Sequence, residues 1–297
     1  MIFTRRIGRA EVTNVIEYSG PTHDPAVVFP ELGAEDLARI APKLAPHHYV
    51  VAMNRFIVTI QLWVVRFDDK VVVIDTGVGN FKTRAAARMN MLNTLVLPWL
   101  EAAGAGPDKV THVVITHLHS DHVGWNTRLV DGRWLPTFPN ARHFMPKADF
   151  DLFDAQYRDG NALASAGSFA DSVLPVVEDG LVEFVEPGQI IAGCLEVEPL
   201  PGHTPGQYGL RLRSEGQEGM FCADVFHSPM QIALPELNTA FCMQPEAARA
   251  TRRALLSRVA DRNALVMPCH FGAPYCGYIV SCPDGGFNFL PETATLR

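Results

Sequence analysis

The reading of this chain turns on Val110-Thr111-His112-Val113-Val114-Ile115-Thr116-His117-Leu118-His119-Ser120-Asp121-His122-Val123-Gly124. The first six residues are β-branched or apolar enough for a short buried strand. That strand runs straight into His117, His119, Asp121 and His122. Imidazole and carboxylate are the side chains that borderline metals such as zinc prefer. A strand interior rejects charge, whereas a strand end hosts it. One H-x-H pair arises by chance; H-x-H-x-D-H directly after a buried strand points to a metal site.

Working outward, the chain reads as strands interleaved with helices. Phe56 to Phe67 and Val71 to Ile74 flank Asp68-Asp69-Lys70 as a hairpin. Arg9 to Tyr18 alternates as a strand. Ala34 to Leu44 has helical spacing, with Ile40 and Leu44 on one face. A helix is expected across Arg84 to Ala103, interrupted at Pro98. His143 to Met145 reads as a strand and Lys147 to Ala155 as a helix. Three strand-like runs follow between Leu181 and Leu212. Met220 to Ala223 is expected as a strand ending at Asp224, Gln244 to Val259 as an amphipathic helix, and Ala264 to Met267 as a strand. This pattern predicts an α/β chain with two sheets inside helices.

The other motifs fall in order. Ile74-Asp75-Thr76-Gly77 precedes the histidine cluster. Pro201-Gly202-His203-Thr204-Pro205-Gly206 is a tight loop presenting one histidine. Asp224 closes a strand, and His270 follows Val266-Met267-Pro268-Cys269. Together these resemble the metallo-β-lactamase superfamily, over roughly residues 50–290. The resemblance implies an αββα four-layer sandwich. It divides the chain into an N-terminal extension, residues 1–54, and a catalytic domain, residues 55–297.

Carried over residue by residue, the resemblance places His117, His119 and His203 on a first metal ion. Asp121, His122 and His270 fall on a second, and Asp224 bridges the two. It implies two Zn2+ per chain, with Mn, Fe or Co as alternatives. Asp75 is read as a support that accepts hydrogen bonds from the ligand loop. The flavin-linked diiron members place a glutamate where His119 stands, which disfavours their redox chemistry here. The implied activity is that of a zinc-dependent hydrolase. A metal-bridging hydroxide would attack a small, largely apolar ester, lactone or phosphotriester. Asp121 would orient the hydroxide.

Within the superfamily the chain is most similar to the branch of methyl parathion hydrolase, an organophosphate hydrolase, and the N-acyl homoserine lactonases. Lactonases typically place a tyrosine three residues after the bridging aspartate; here that position is His227, expected to assist catalysis. The alternatives are a hydrolytic dehalogenase of an activated aromatic or a mononuclear-iron dioxygenase. Phe226 to Phe241, Phe271 to Tyr275 and Trp63 are expected to line an apolar substrate pocket.

Composition bounds the partners. The 297 residues are 47% hydrophobic and 19% charged, with a net charge of −7. That balance excludes a disordered chain and opposes a phosphate-tracking nucleic-acid binder. No apolar run reaches a membrane span. No signal-peptide pattern opens the sequence, so a cytoplasmic enzyme with a small-molecule substrate is expected. Phe29, Ile40 and Leu44 have no assigned core partner, so a homodimer built partly by residues 1–54 is expected.

Overall fold

The computed structural model describes residues 2–292. One sheet runs in the order Ile2–Ile7, Ala10–His23, Arg55–Phe67, Lys70–Ile74, His112–Val114, Arg142–Met145, Val182–Phe184, with Tyr49–Val50 paired onto Arg55–Phe67. A second sheet takes Ile190–Ile191, Leu195–Pro199, Tyr208–Ser214, Gln217–Phe221, Ala264–Met267, Gly277–Ser281 and Phe287–Pro291. Helices Lys147–Arg158 and Pro245–Val259 are the longest. The expected α/β class is what the chain forms.

The chain forms two compact units. One is built from the residues up to Glu17 and Ile60–Val197; the other from Tyr18–Thr59 and the residues from Glu198 onward. In the first, Val15, Leu62, Val64, Val73, Val113 and Ile115 bury together with Phe138 and Phe169. In the second, Leu200, Met220, Phe226, Leu255, Val266 and Phe271 form the core. Burial at this scale drives folding. No helix among the described residues is long and apolar enough to cross a membrane.

Parallel pairing sets where functional groups emerge. In the first unit Lys70–Ile74 pairs parallel with His112–Val114, with Ile74 opposite Val114. Asp75 and Thr116 therefore leave neighbouring strands at the same end. In the second unit Gln217–Phe221 pairs parallel with Ala264–Met267, with Phe221 opposite Met267. Asp224 and His270 each lie three residues past that level. Open parallel sheets collect their chemistry at such carboxyl ends.

Several expectations need correction. Of the stretch Arg84 to Ala103, only Val96–Ala102 is an extended α-helix, preceded by the single turn Ala87–Met89. Residues 80–94 are instead tied across a loop. The Asn80 side chain accepts from the Thr94 backbone N–H (2.7 Å) and donates to the Thr94 carbonyl (3.0 Å). Pro98 does not interrupt the helix, because it sits in the first turn, where a missing N–H costs nothing. The strand before Asp224 ends at Phe221, and Ala223–Val225 forms a short 3-10 turn. Four strands, not three, lie between Leu181 and Ser214. Phe29 and Ile40 are not surface groups awaiting a partner: they bury within the second unit beside Val28, Tyr49, Phe56 and Met230, with Leu44 packed against them.

Candidate metal centre

The histidine cluster follows its strand as expected. His117 and His122 are buried, while the Asp121 side chain is 22% exposed. Asp75 underlies them. Its backbone is left-handed (φ 53°), an unusual conformation for a non-glycine residue, and it turns the carboxylate under the neighbouring strand end. Asp75 Oδ1 accepts the Thr116 backbone N–H (2.8 Å), and the Thr116 hydroxyl donates to the same carboxylate (2.9 Å). Asp75 Oδ2 lies 2.9 Å from His122 Nδ1.

These contacts decide the histidine tautomers. A carboxylate only accepts, so His122 Nδ1 carries the proton, and its Nε2 is left with a lone pair. The Thr116 hydroxyl has spent its one hydrogen on Asp75. Its oxygen therefore accepts from His117 Nδ1 (3.1 Å), and the lone pair of His117 also sits on Nε2. Both rings thus offer Nε2 as a candidate metal ligand. Leu118 N–H donates to the buried Asp149 Oδ2 (3.1 Å), which fixes the backbone between His117 and His119. The rings of His117 and His119 meet edge to face at 4.8 Å.

The second unit gathers the remaining residues around one oxygen. Asp224 Oδ2 lies 2.9 Å from His270 Nε2, 3.2 Å from His227 Nε2 and 3.3 Å from His203 Nε2. All four residues are buried. His270 Nδ1 donates to the Thr59 carbonyl (2.8 Å), and its Nε2 lies within hydrogen-bond distance of Asp224 Oδ2, so Nε2 is the position where a metal ion would take the place of a proton. The His203 Nδ1 side is met by Cys242 Sγ (3.9 Å). His203, Asp224 and His227 alone bring three candidate ligand atoms within 4.8 Å of one another. A buried carboxylate faced by three ring nitrogens calls for shared positive charge, from protons or a metal ion. The donor set therefore fits a divalent cation.

The His203 loop explains its glycine. Gly202 has φ 131°, and a Cβ there would lie 2.2 Å from the backbone nitrogen of Ala248. Only glycine lets this loop pass the start of helix Pro245–Val259.

The expected apolar pocket needs revision. Trp63, Phe226 and Phe271 are fully buried, the two phenylalanines inside the second unit's core, so they fill space rather than line a cleft. Phe241 is different: it is 38% exposed, and its ring lies 6.0 Å from that of His227. Met243, also exposed, donates its backbone N–H to the His203 carbonyl (2.9 Å). Of the histidines outside the motifs, His48 and His143 are held near pKa 4 by burial and are neutral at pH 7.

Sequence reasoning did not find Thr116, Asp149 or Thr59. Thr116 adjoins the motif, and its hydroxyl was a readable signal. Asp149 and Thr59 act across 31 and 211 residues, and nothing local marks them.

No curated protein matches the sequence. Among solved structures, the chain is similar to a hydrolase named AbOPH in the beta lactamase superfamily (21% identity, 99% of this chain and 98% of that one, TM-score 0.83). It is also similar to AidC, a dizinc quorum-quenching lactonase in complex with a product, N-hexanoyl-L-homoserine (20% identity, 99% and 98%, TM-score 0.81). A third is a probable metal-dependent hydrolase from Staphylococcus aureus (15% identity, 90% and 91%, TM-score 0.72). At these identities the likeness establishes the fold. The family model described as metallo-beta-lactamase superfamily matches residues 58–270, well over half of the sequence, and this chain belongs to that superfamily.

Proposed function

We propose that this chain is a dinuclear metallohydrolase acting on a small, largely apolar ester or lactone, with phosphotriesters as a further substrate class. The observation that carries the reading is Asp224 Oδ2 with three ring nitrogens within 3.3 Å. Superfamily membership supplies the rest of the ligand set. His117, His119 and His203 would hold one ion, Asp121, His122 and His270 the other, and Asp224 both. When bound, two divalent ions supply Lewis acidity and lower the pKa of a shared water toward neutrality. The histidine-rich donor set suits zinc, with manganese, iron or cobalt as alternatives.

The residues divide the remaining work. Asp121, the partly exposed acid of the cluster, orients the attacking water and takes its proton. His227 donates a hydrogen bond to the substrate oxygen or a proton to the leaving group. Phe241 and Met243 offer apolar surface beside His227 and His203. The lactonase AidC shares this fold, which supports including lactones among the candidates.

The catalytic domain is read as residues 55–297, with residues 1–54 as an extension. That extension leaves Val27, Val51 and Met53 exposed, which supports a homodimer formed there. A monomer by sedimentation at micromolar concentration would contradict the dimer.

The test of the function is a panel of a p-nitrophenyl ester, an N-acyl homoserine lactone and a phosphotriester, run on protein reconstituted separately with zinc, manganese, cobalt and iron. Metal-dependent turnover of at least one substrate is expected. Fully metallated protein inert toward all three would refute the reading.

A further inference from the structure

Glu17 sits on strand Ala10–His23, outside the segment that the family model matches, and its side chain is buried. Its carboxylate takes three hydrogen bonds. Oε2 accepts the Val78 backbone N–H (2.6 Å); Oε1 accepts the Gly79 backbone N–H (3.1 Å) and the Trp125 indole N–H (2.8 Å). Val78 and Gly79 follow Asp75-Thr76-Gly77. Trp125 follows His122 by three residues.

These two loops are already tied to one another. Thr76 N–H donates to the His122 carbonyl (2.7 Å), Gly124 N–H to the Gly77 carbonyl (2.7 Å) and Trp125 N–H to the Thr76 carbonyl (2.8 Å). The fit has no slack. A Cβ on Gly77 would lie 2.2 Å from Glu17 Oε2, and one on Gly124 would lie 1.9 Å from the Val78 carbonyl carbon. A single carboxylate thus closes the layer beneath the loops that carry Asp75, Asp121 and His122.

Such a group is expensive to keep. Burial, with the charge of Asp121 adding to it, pushes the Glu17 carboxyl up to about 7. A leucine would fill the space without that cost, but it would leave three buried N–H donors unanswered.

We infer that Glu17 is a positioning residue for the metal centre: through Val78, Gly79 and Trp125 it holds the Asp75 and Asp121-His122 loops in ligating register. The inference rests on the metallohydrolase reading and adds to it a part supplied from outside the family's motifs. In Glu17→Gln one oxygen becomes an NH2 that must face a backbone or indole N–H donor, so one edge of the clamp turns repulsive.

The test titrates the full-length wild-type, Glu17→Gln and Trp125→Phe proteins with cobalt(II), followed by visible absorption. Far-UV circular dichroism checks the fold, and Val15→Ala, a core truncation on the same strand, serves as the destabilised control. Glu17→Gln should weaken cobalt binding roughly 10- to 100-fold, the usual range for a group that orients a ligand, and should alter the ligand-field bands. Val15→Ala should leave the bands unchanged. If Glu17→Gln does not fold, Trp125→Phe still removes one of the three donors and should give a loss of roughly 5-fold. Folded Glu17→Gln, or Trp125→Phe in its absence, with wild-type affinity and spectrum would overturn the inference alone. Wild-type protein that takes up no cobalt would overturn the metal reading itself, and this inference with it.

Discussion

Replacing Asp75 by asparagine removes one negative charge with almost no change of shape, at a carboxylate that takes donors from both Thr116 and His122. Asp75 receives the Thr116 N–H at 2.8 Å, the Thr116 hydroxyl at 2.9 Å and the His122 Nδ1–H at 2.9 Å. Asparagine offers one acceptor oxygen. If that oxygen takes the Thr116 side, the new NH2 faces His122 Nδ1–H. The imidazole can escape only by moving its proton to Nε2, which destroys its lone pair for a metal. If the oxygen takes the His122 side, the NH2 faces the Thr116 backbone N–H, and the strand end that launches the ligands is disturbed. Hydrogen bonds to a charged group contribute about 1.5–3 kcal/mol each, and at least one is lost in either orientation. The expected destabilisation of metal-free protein is therefore about 2–4 kcal/mol, read from urea unfolding monitored by circular dichroism. Metal affinity, measured by chelator competition, should fall by roughly 10- to 100-fold. An Asp75→Asn protein within about 0.5 kcal/mol of wild type that holds metal equally well would refute the tautomer argument.

Two further perturbations follow from the same geometry. His227→Ala should retain its metals but lose roughly 10- to 100-fold in kcat, with a smaller loss for nitrophenolate than for alkoxide leaving groups; equal losses would reject the acid role. Glu17 makes stability depend on pH. Its carboxyl is held at about 7 in the fold against 4.5 for the free group, so its contribution is whole below pH 4.5 and is lost as pH rises through 7. The loss amounts to about 3 kcal/mol. Wild-type stability minus that of Glu17→Gln, measured in urea at pH 5 and pH 8, should shrink by that order; a pH-independent difference would show that Glu17 titrates normally.

What can be read in advance follows from the range of the interactions. The histidines proposed as ligands are legible because they follow strands with strong local patterns, as at His112–Val114 and Ala264–Met267. The stretch Arg84 to Leu95 reads as helix because its apolar spacing fits a helical period. The polar staples of Asn80, and the backbone bond from Phe81 to Leu92, hold it as a loop instead. Sequence reasoning also missed the hairpin Thr127–Val130 to Arg133–Pro136, although it turns at Asp131-Gly132, both with positive φ, a dipeptide that is a local turn signal. Phe226 and Phe271 resist assignment to pocket or core, because an apolar residue beside a site satisfies either role until packing is known. Glu17 is invisible for a different reason. Its partners are 61, 62 and 108 residues away, and a lone glutamate in a strand carries no local mark of them.

Asp224 is proposed to be shared by two metal ions. Elemental analysis of zinc-reconstituted protein, paired with Asp224→Ala prepared in the same way, tests it most directly. About two zinc ions per wild-type chain are expected, with marked loss from the variant, because both ions would lose a ligand and the remaining histidines would lose the charge that gathers them. One ion per wild-type chain, or an Asp224→Ala protein that still holds two, would contradict the proposal.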